Sequence, residues 1–149
     1  MKKLLMLALA FVLCACGGAT VTKGETEYVF TDYTSGSEQK VMVSVELEDG
    51  KITKVEIDET YDHNGEKTTK RTLGDDYAMK STSAQIGAIE GGAEWFEQVD
   101  HLQEVLVGTD GTIALDETGK ATDTEVLAGC TINLTNIAAA VKEAVDKAE

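Results

Sequence analysis

Gln39-Lys40-Val41-Met42-Val43-Ser44-Val45-Glu46-Leu47-Glu48-Asp49-Gly50-Lys51-Ile52-Thr53-Lys54-Val55-Glu56-Ile57-Asp58-Glu59-Thr60-Tyr61 is the stretch on which the fold turns. Val41, Val43, Val45 and Leu47 alternate with Met42, Ser44, Glu46 and Glu48, the period of a strand with one buried face. Asp49-Gly50 follows, and a two-residue turn that needs positive φ at both positions favours this pair. Lys51 to Tyr61 then returns as the second arm. A plain two-residue loop pairs Leu47 with Ile52 but sets Val45 against Lys54 and Val43 against Glu56. The apolar residues of the return arm sit instead at Val55 and Ile57. One extra residue near Thr53-Lys54 repairs the mismatch, so the pattern predicts a β-bulge there.

Outward from this hairpin at 39–61, Tyr28 to Tyr33 is aromatic and β-branched enough for a strand. Asp62-His63-Asn64-Gly65 turns the chain, and Glu66 to Thr72 extends the sheet. Gly74 to Gly92 keeps no single period. Asp75 or Asp76 caps a short helix there, and a Ser/Thr/Gly-rich loop containing Ser81, Thr82 and Ser83 follows. Trp95, Val99, Leu102 and Leu106 form one stripe of a helix over about 93–107, with Phe96 beside it. Gly108-Thr109-Asp110-Gly111 ends it, and Thr112 to Leu115 reads as a short strand. Leu134, Ile137, Ala138, Val141, Val145 and Ala148 mark a second amphipathic helix over about 135–148, with Asn133, Thr135 and Asn136 as candidate N-caps. Strands first and helices after, without βαβ alternation, predict an α+β domain with a small antiparallel sheet.

The chain has 149 residues, 13 Lys plus Arg against 27 Asp plus Glu, and a net charge of −14. That field repels phosphate backbones, so nucleic acid is excluded as a partner. Met1-Lys2-Lys3 and the ten apolar residues Leu4 to Leu13 form a basic head and a hydrophobic stretch too short to span a bilayer, which reads as a secretory signal over residues 1–15. Leu13-Cys14-Ala15-Cys16-Gly17 looks like a bacterial lipobox, with small Ala15 just before the acylated Cys16. Two acyl chains suffice for stable attachment. Residues 16–26 then form the lipidated cysteine and a short polar tether, and 27–149 the folded domain. The expected location is the outer face of the bacterial cytoplasmic membrane. Once Cys14 is removed and Cys16 lipidated, Cys130 is the remaining thiol, either a buried small hydrophobe or a redox-active group.

Ala128-Gly129-Cys130-Thr131, followed by Ala140-Val141-Lys142-Glu143-Ala144-Val145, resembles the signature of the FMN-binding domain family. There a Ser-Gly-Ala-Thr motif precedes a helix reading Ala-Val-x-x-Ala-Val. Asp49-Gly50-Lys51-Ile52 within Val41–Ile57, and Leu73 to Met79 with Trp95 to Gln98, look like small lipoproteins of that family, and the likeness spans about residues 38–149. Ala128 and Cys130 depart from the motif. Glu125 stands where covalently flavinylated members carry Asp, six residues before the Thr.

The resemblance implies FMN as cofactor, held non-covalently in preference to an ester at Thr131, and electron transfer with no side-chain catalyst. It implies Gly129, Cys130, Thr131 and Asn133 around the phosphate, and Tyr77, Met79 and Trp95, with Phe96, as a flat wall for the ring. Free amides ahead of the last helix, at the positive end of its dipole, are expected to receive the phosphate. The partners implied are the membrane, through the anchor, and a membrane reductase or flavin transferase. The rival reading is a redox-silent binding or interaction lipoprotein that keeps the fold without flavin. Asp58, Asp62, His63, Asn64 and Glu66 lack the spacing of a calcium loop, and His63 and His101 lack zinc-ligand neighbours. No metal is expected.

Overall fold

The computed structural model describes residues 20–149, so the signal segment, Cys16 and the first residues of the tether lie outside it. A four-stranded antiparallel sheet runs in the order β1 (Val21–Thr31), β2 (Glu38–Glu48), β3 (Lys51–His63) and β4 (Glu66–Thr69). After β4 come α1 (Lys70–Leu73), a 3-10 turn (Gly74–Tyr77), α2 (Lys80–Ile86), α3 (Trp95–Leu106), α4 (Thr124–Leu127) and α5 (Thr135–Ala148). The architecture is α+β, as the order of the periodicities predicts. Among the described residues no helix is long and apolar enough to cross a membrane.

The central hairpin carries the predicted defect. Leu47 pairs with Ile52 and Glu46 with Lys54, so Thr53 is the extra residue, after which Val45 faces Val55 and Val43 faces Ile57. Asp49 and Gly50 have φ of 53° and 72°, the positive pair a tight hairpin turn requires. Asn64 and Gly65 repeat the device between β3 and β4, with φ of 54° and 87°.

Four expectations are corrected. Val21 to Thr26, read as tether, belong to β1, which pairs with β2 from Val21↔Glu48 onward. Gly24 faces α5 so closely that a Cβ there would collide with the carbonyl oxygen of Ala144, and Thr26 is buried beneath Glu143 and Lys147. Small and polar composition at these positions therefore reflects a helix lying on the strand. Ser81, Thr82 and Ser83, assigned to a loop, lie in α2. The chain after β4 coils into α1 at Lys70 rather than extending the sheet to Thr72, because the Thr69 side chain caps it by accepting from the Thr72 amide. Thr112–Leu115 makes only the isolated bridge Leu115↔Ala121.

Val41, Val43, Val45, Leu47, Ile52, Val55 and Ile57 on the sheet meet Val99, Leu102 and Leu106 of α3 and Ile137, Val141 and Val145 of α5 in one core. Each such side chain contributes about 1.5–3 kcal/mol by burial. Helix α3 runs antiparallel to β3, and α5 runs antiparallel to β1 and so parallel to β2, which it also covers. Ile57 N–H donates to Gln103 Oε1 at 2.7 Å, while Ile52 bonds Gly108 and Thr109 beyond the end of α3. Gly24, near the start of β1, lies against Ala144 and Ala148 at the end of α5. The N-termini of α3 and α5 therefore lie at the same end of the sheet, the end carrying Thr31, Glu59 and Tyr61.

Candidate functional site

Asp123 starts the motif segment by capping α4, its Oδ1 accepting from the amides of Glu125 (2.8 Å) and Val126 (3.3 Å). The chain leaves α4 in tight turns, Gly129 N–H and Cys130 N–H both donating to the Val126 carbonyl at 3.2 and 2.8 Å. Thr131 N–H donates to Gln98 Oε1 at 2.9 Å, and the Thr131 hydroxyl contacts the same oxygen at 3.3 Å. Gln98 itself is fully buried, and its Nε2 donates to the Ala93 carbonyl at 3.2 Å. One buried amide thus bolts the motif loop to the first turns of α3.

These bonds change the expected anion cradle. The amides of Gly129, Cys130 and Thr131 are already engaged, so this loop presents its hydroxyl and not a nest of free N–H groups. The hydroxyl is partly buried rather than entombed. Helix α5 begins at Thr135, and its first turn supplies the dipole end four positions beyond Thr131.

Gly129 is required by packing. A Cβ there would run into the His101 ring, which is held by a 2.8 Å bond between Nε2 and the Glu125 carbonyl. Cys130 is wholly buried, and desolvation pushes its thiol up to about 11. That burial makes Cys130 a core residue, the first of its two readings. Asn133 is spent on the protein, Nδ2 donating to the Thr118 carbonyl (2.8 Å) and Oδ1 accepting from Thr135 N–H (3.0 Å). Both side chains help fix the loop between α4 and α5.

The expected ring wall divides in the same way. Trp95 is 2% exposed and belongs to the core. Tyr77, Met79 and Phe96 are partly buried against it and keep a surface. Lys70 Nζ stands 5.2 Å from the Tyr77 ring centroid and 5.3 Å from that of Trp95. The same ammonium pairs with Glu59 Oε1 at 2.7 Å. Tyr61 meets Tyr77 edge-on at 5.0 Å. Burial raises the Glu59 carboxyl above its ordinary range, with Lys70 opposing. Burial also raises the Tyr77 phenol. Asp58 and Asp62, weighed as metal ligands, accept instead from Glu59 N–H and Gln39 Nε2, each at 2.8 Å.

Three residues to which the sequence reading gave no role organise this end. Gln98 is one; its signal was a polar side chain on the apolar stripe of a helix. Glu94 is the second: 3% exposed, it accepts from Met79 N–H (2.8 Å) and Lys80 N–H (2.9 Å) and forms a capping box with Glu97. Arg71 is the third, reaching the Ile57 carbonyl (2.6 Å), Gln103 (2.8 Å) and Asp100 (2.7 Å). The Glu94-x-x-Glu97 spacing was visible as a helix start. Through Gln98, Glu94 and Trp95, the opening turns of α3 bring together Thr131, Met79 and the Lys70–Tyr77 cluster. Two turns further along α3, Val105, Leu106, Ile113 and Val126 line a cleft of about 120 Å³. That is below the ~300–1,000 Å³ of small-molecule sites.

A family model for the FMN-binding domain matches residues 35–146. No curated protein and no solved structure matches the chain.

Proposed function

The chain belongs to the FMN-binding domain family, and on that premise we propose that it is an extracytoplasmic lipoprotein, anchored through Cys16, that carries electrons on FMN held at the Thr131 end of the domain. The observation that carries the reading is the Thr131 hydroxyl, partly buried and held among the described residues by one long contact to Gln98 at 3.3 Å. A group so weakly engaged exchanges its partner for a phosphate oxygen at small cost. The residues present fit the cofactor in part: a reachable hydroxyl, the N-terminal end of α5, and the surfaces of Tyr77, Met79 and Phe96. The cradle of loop amides is missing from that fit.

When bound, FMN supplies the redox chemistry, accepting one or two electrons and releasing them again. The chain's part is to hold and orient. Thr131 would bond the phosphate and Tyr77 and Met79 would shield the ring from water, while Gln98 keeps the loop against α3 and Gly129 allows the His101 ring to pack beneath it. The electrons come from a membrane reductase and leave to an extracellular acceptor, or run in the reverse direction. No acid, base or nucleophile among the side chains takes part.

Residues 17–149 expressed alone and incubated with FMN will show flavin absorbance bands, weakened severalfold in Thr131→Val. Coexpression with a flavin transferase will leave the protein mass unchanged, since the attachment is non-covalent. A flavin adduct that disappears in Thr131→Val would establish an ester instead. The engaged loop amides favour a second reading, an interaction lipoprotein without flavin. A colourless protein with and without the transferase, indifferent to added FMN, would establish that reading.

A further inference from the structure

Lys70 and Glu59 form an ion pair at 2.7 Å with side chains only 13% and 14% exposed. The lysines of the pairs Lys23–Glu46, Lys40–Glu27, Lys54–Glu56 and Lys142–Asp146 are 40–73% exposed. Withdrawing two charges from water is costly, and apolar side chains of like volume serve a core at least as well. The pair nevertheless sits against the faces of Tyr77 and Trp95, rings 5.2 and 5.3 Å from the ammonium. Trp95 is three residues before Gln98, hence on the same face of α3, and Gln98 holds Thr131. The charge pair thus stands against Trp95, one helical turn before the Gln98 that holds the motif loop.

Resting on the reading of function above, we propose that Lys70 and Glu59 set the charge felt by the flavin ring, Lys70 favouring its reduced state and Glu59 its oxidised state. Reduction adds electrons that protons from solvent only partly neutralise, so the reduced ring carries more negative charge. A nearby ammonium stabilises that state and a nearby carboxylate destabilises it, through a medium less screening than water. The requirement is sharpened by the whole chain, whose 27 acidic residues against 13 basic ones oppose the addition of negative charge.

The test is the midpoint potential of the FMN-loaded full chain in detergent, titrated with dithionite, which supplies the electrons and is oxidised to sulfite. Lys70→Gln shifts the midpoint down, Glu59→Gln shifts it up, and Lys70→Arg restores the wild-type value. A purely structural pair gives no shift, or shifts of the same sign in both Gln variants, and either result overturns the inference. Should those variants fail to fold, the unaltered chain decides. FMN slows acetylation of Lys70 severalfold, read by peptide mass spectrometry, and leaves exposed Lys142 unaffected; equal labelling overturns the inference. Wild-type protein that takes up no flavin overturns the functional reading and this inference together, whereas bound flavin with an indifferent midpoint overturns the inference alone.

Discussion

Gly129 shows how a motif residue serves packing before it serves a ligand. Its missing side chain makes room for His101, whose ring is fixed through the Glu125 carbonyl. Gly129→Ala forces that ring aside and breaks the bond, an overpacking cost of about 1–3 kcal/mol. Urea unfolding followed by Trp95 emission will register the loss, and His101→Ala in the same chain will recover part of it, because the two substitutions share one contact. Additive losses would show that Gly129 is needed for something other than the imidazole. Cys130 beside it is an interior residue, and its thiol stays neutral up to about pH 11.

Among the elements, α2 is the one whose existence depends on another helix. Its sequence, Lys80–Ile86, offers no apolar stripe, and its start has no side-chain cap of its own. Glu94 supplies the missing acceptor from the start of α3, and Ser83 returns the connection by accepting from Ala93 N–H at 3.2 Å. Glu94→Ala removes a charged acceptor shared by the amides of Met79, Lys80 and, in its own capping box, Glu97, at about 1.5–3 kcal/mol. The expected sign is local: amide hydrogen exchange over residues 79–86 accelerates severalfold while β2 and β3 stay protected. Uniform acceleration across the chain would mean that Glu94 supports the whole domain. The hairpin behaves differently. Its strands, its turn and its bulge at Thr53 were all readable in advance, because alternation and turn chemistry are properties of consecutive residues.

At the scale of the molecule, both long helices point their N-termini toward the end of the sheet where the Thr131 loop and the aromatic cluster gather, and the opposite end carries the Asp49-Gly50 turn. The sheet begins at Val21, so few residues separate it from Cys16, and the anchor proposed above would hold the domain near the bilayer. Cys16→Ser is expected to move the protein from the membrane fraction to the soluble fraction; unchanged partitioning would refute the anchor. The α+β class, the hairpin register, both amphipathic helices and the family motif were legible along the chain, since each is written in a short periodic or contiguous pattern. The end proposed to hold FMN was not. Gln98 meets Thr131 across 33 positions and Glu94 meets Lys80 across 14. Glu59 and Lys70 come from separate elements, β3 and α1. Hydrogen bonds and ion pairs of this kind leave no periodicity behind, and they exist only after the packed core has fixed which helix face looks at which loop.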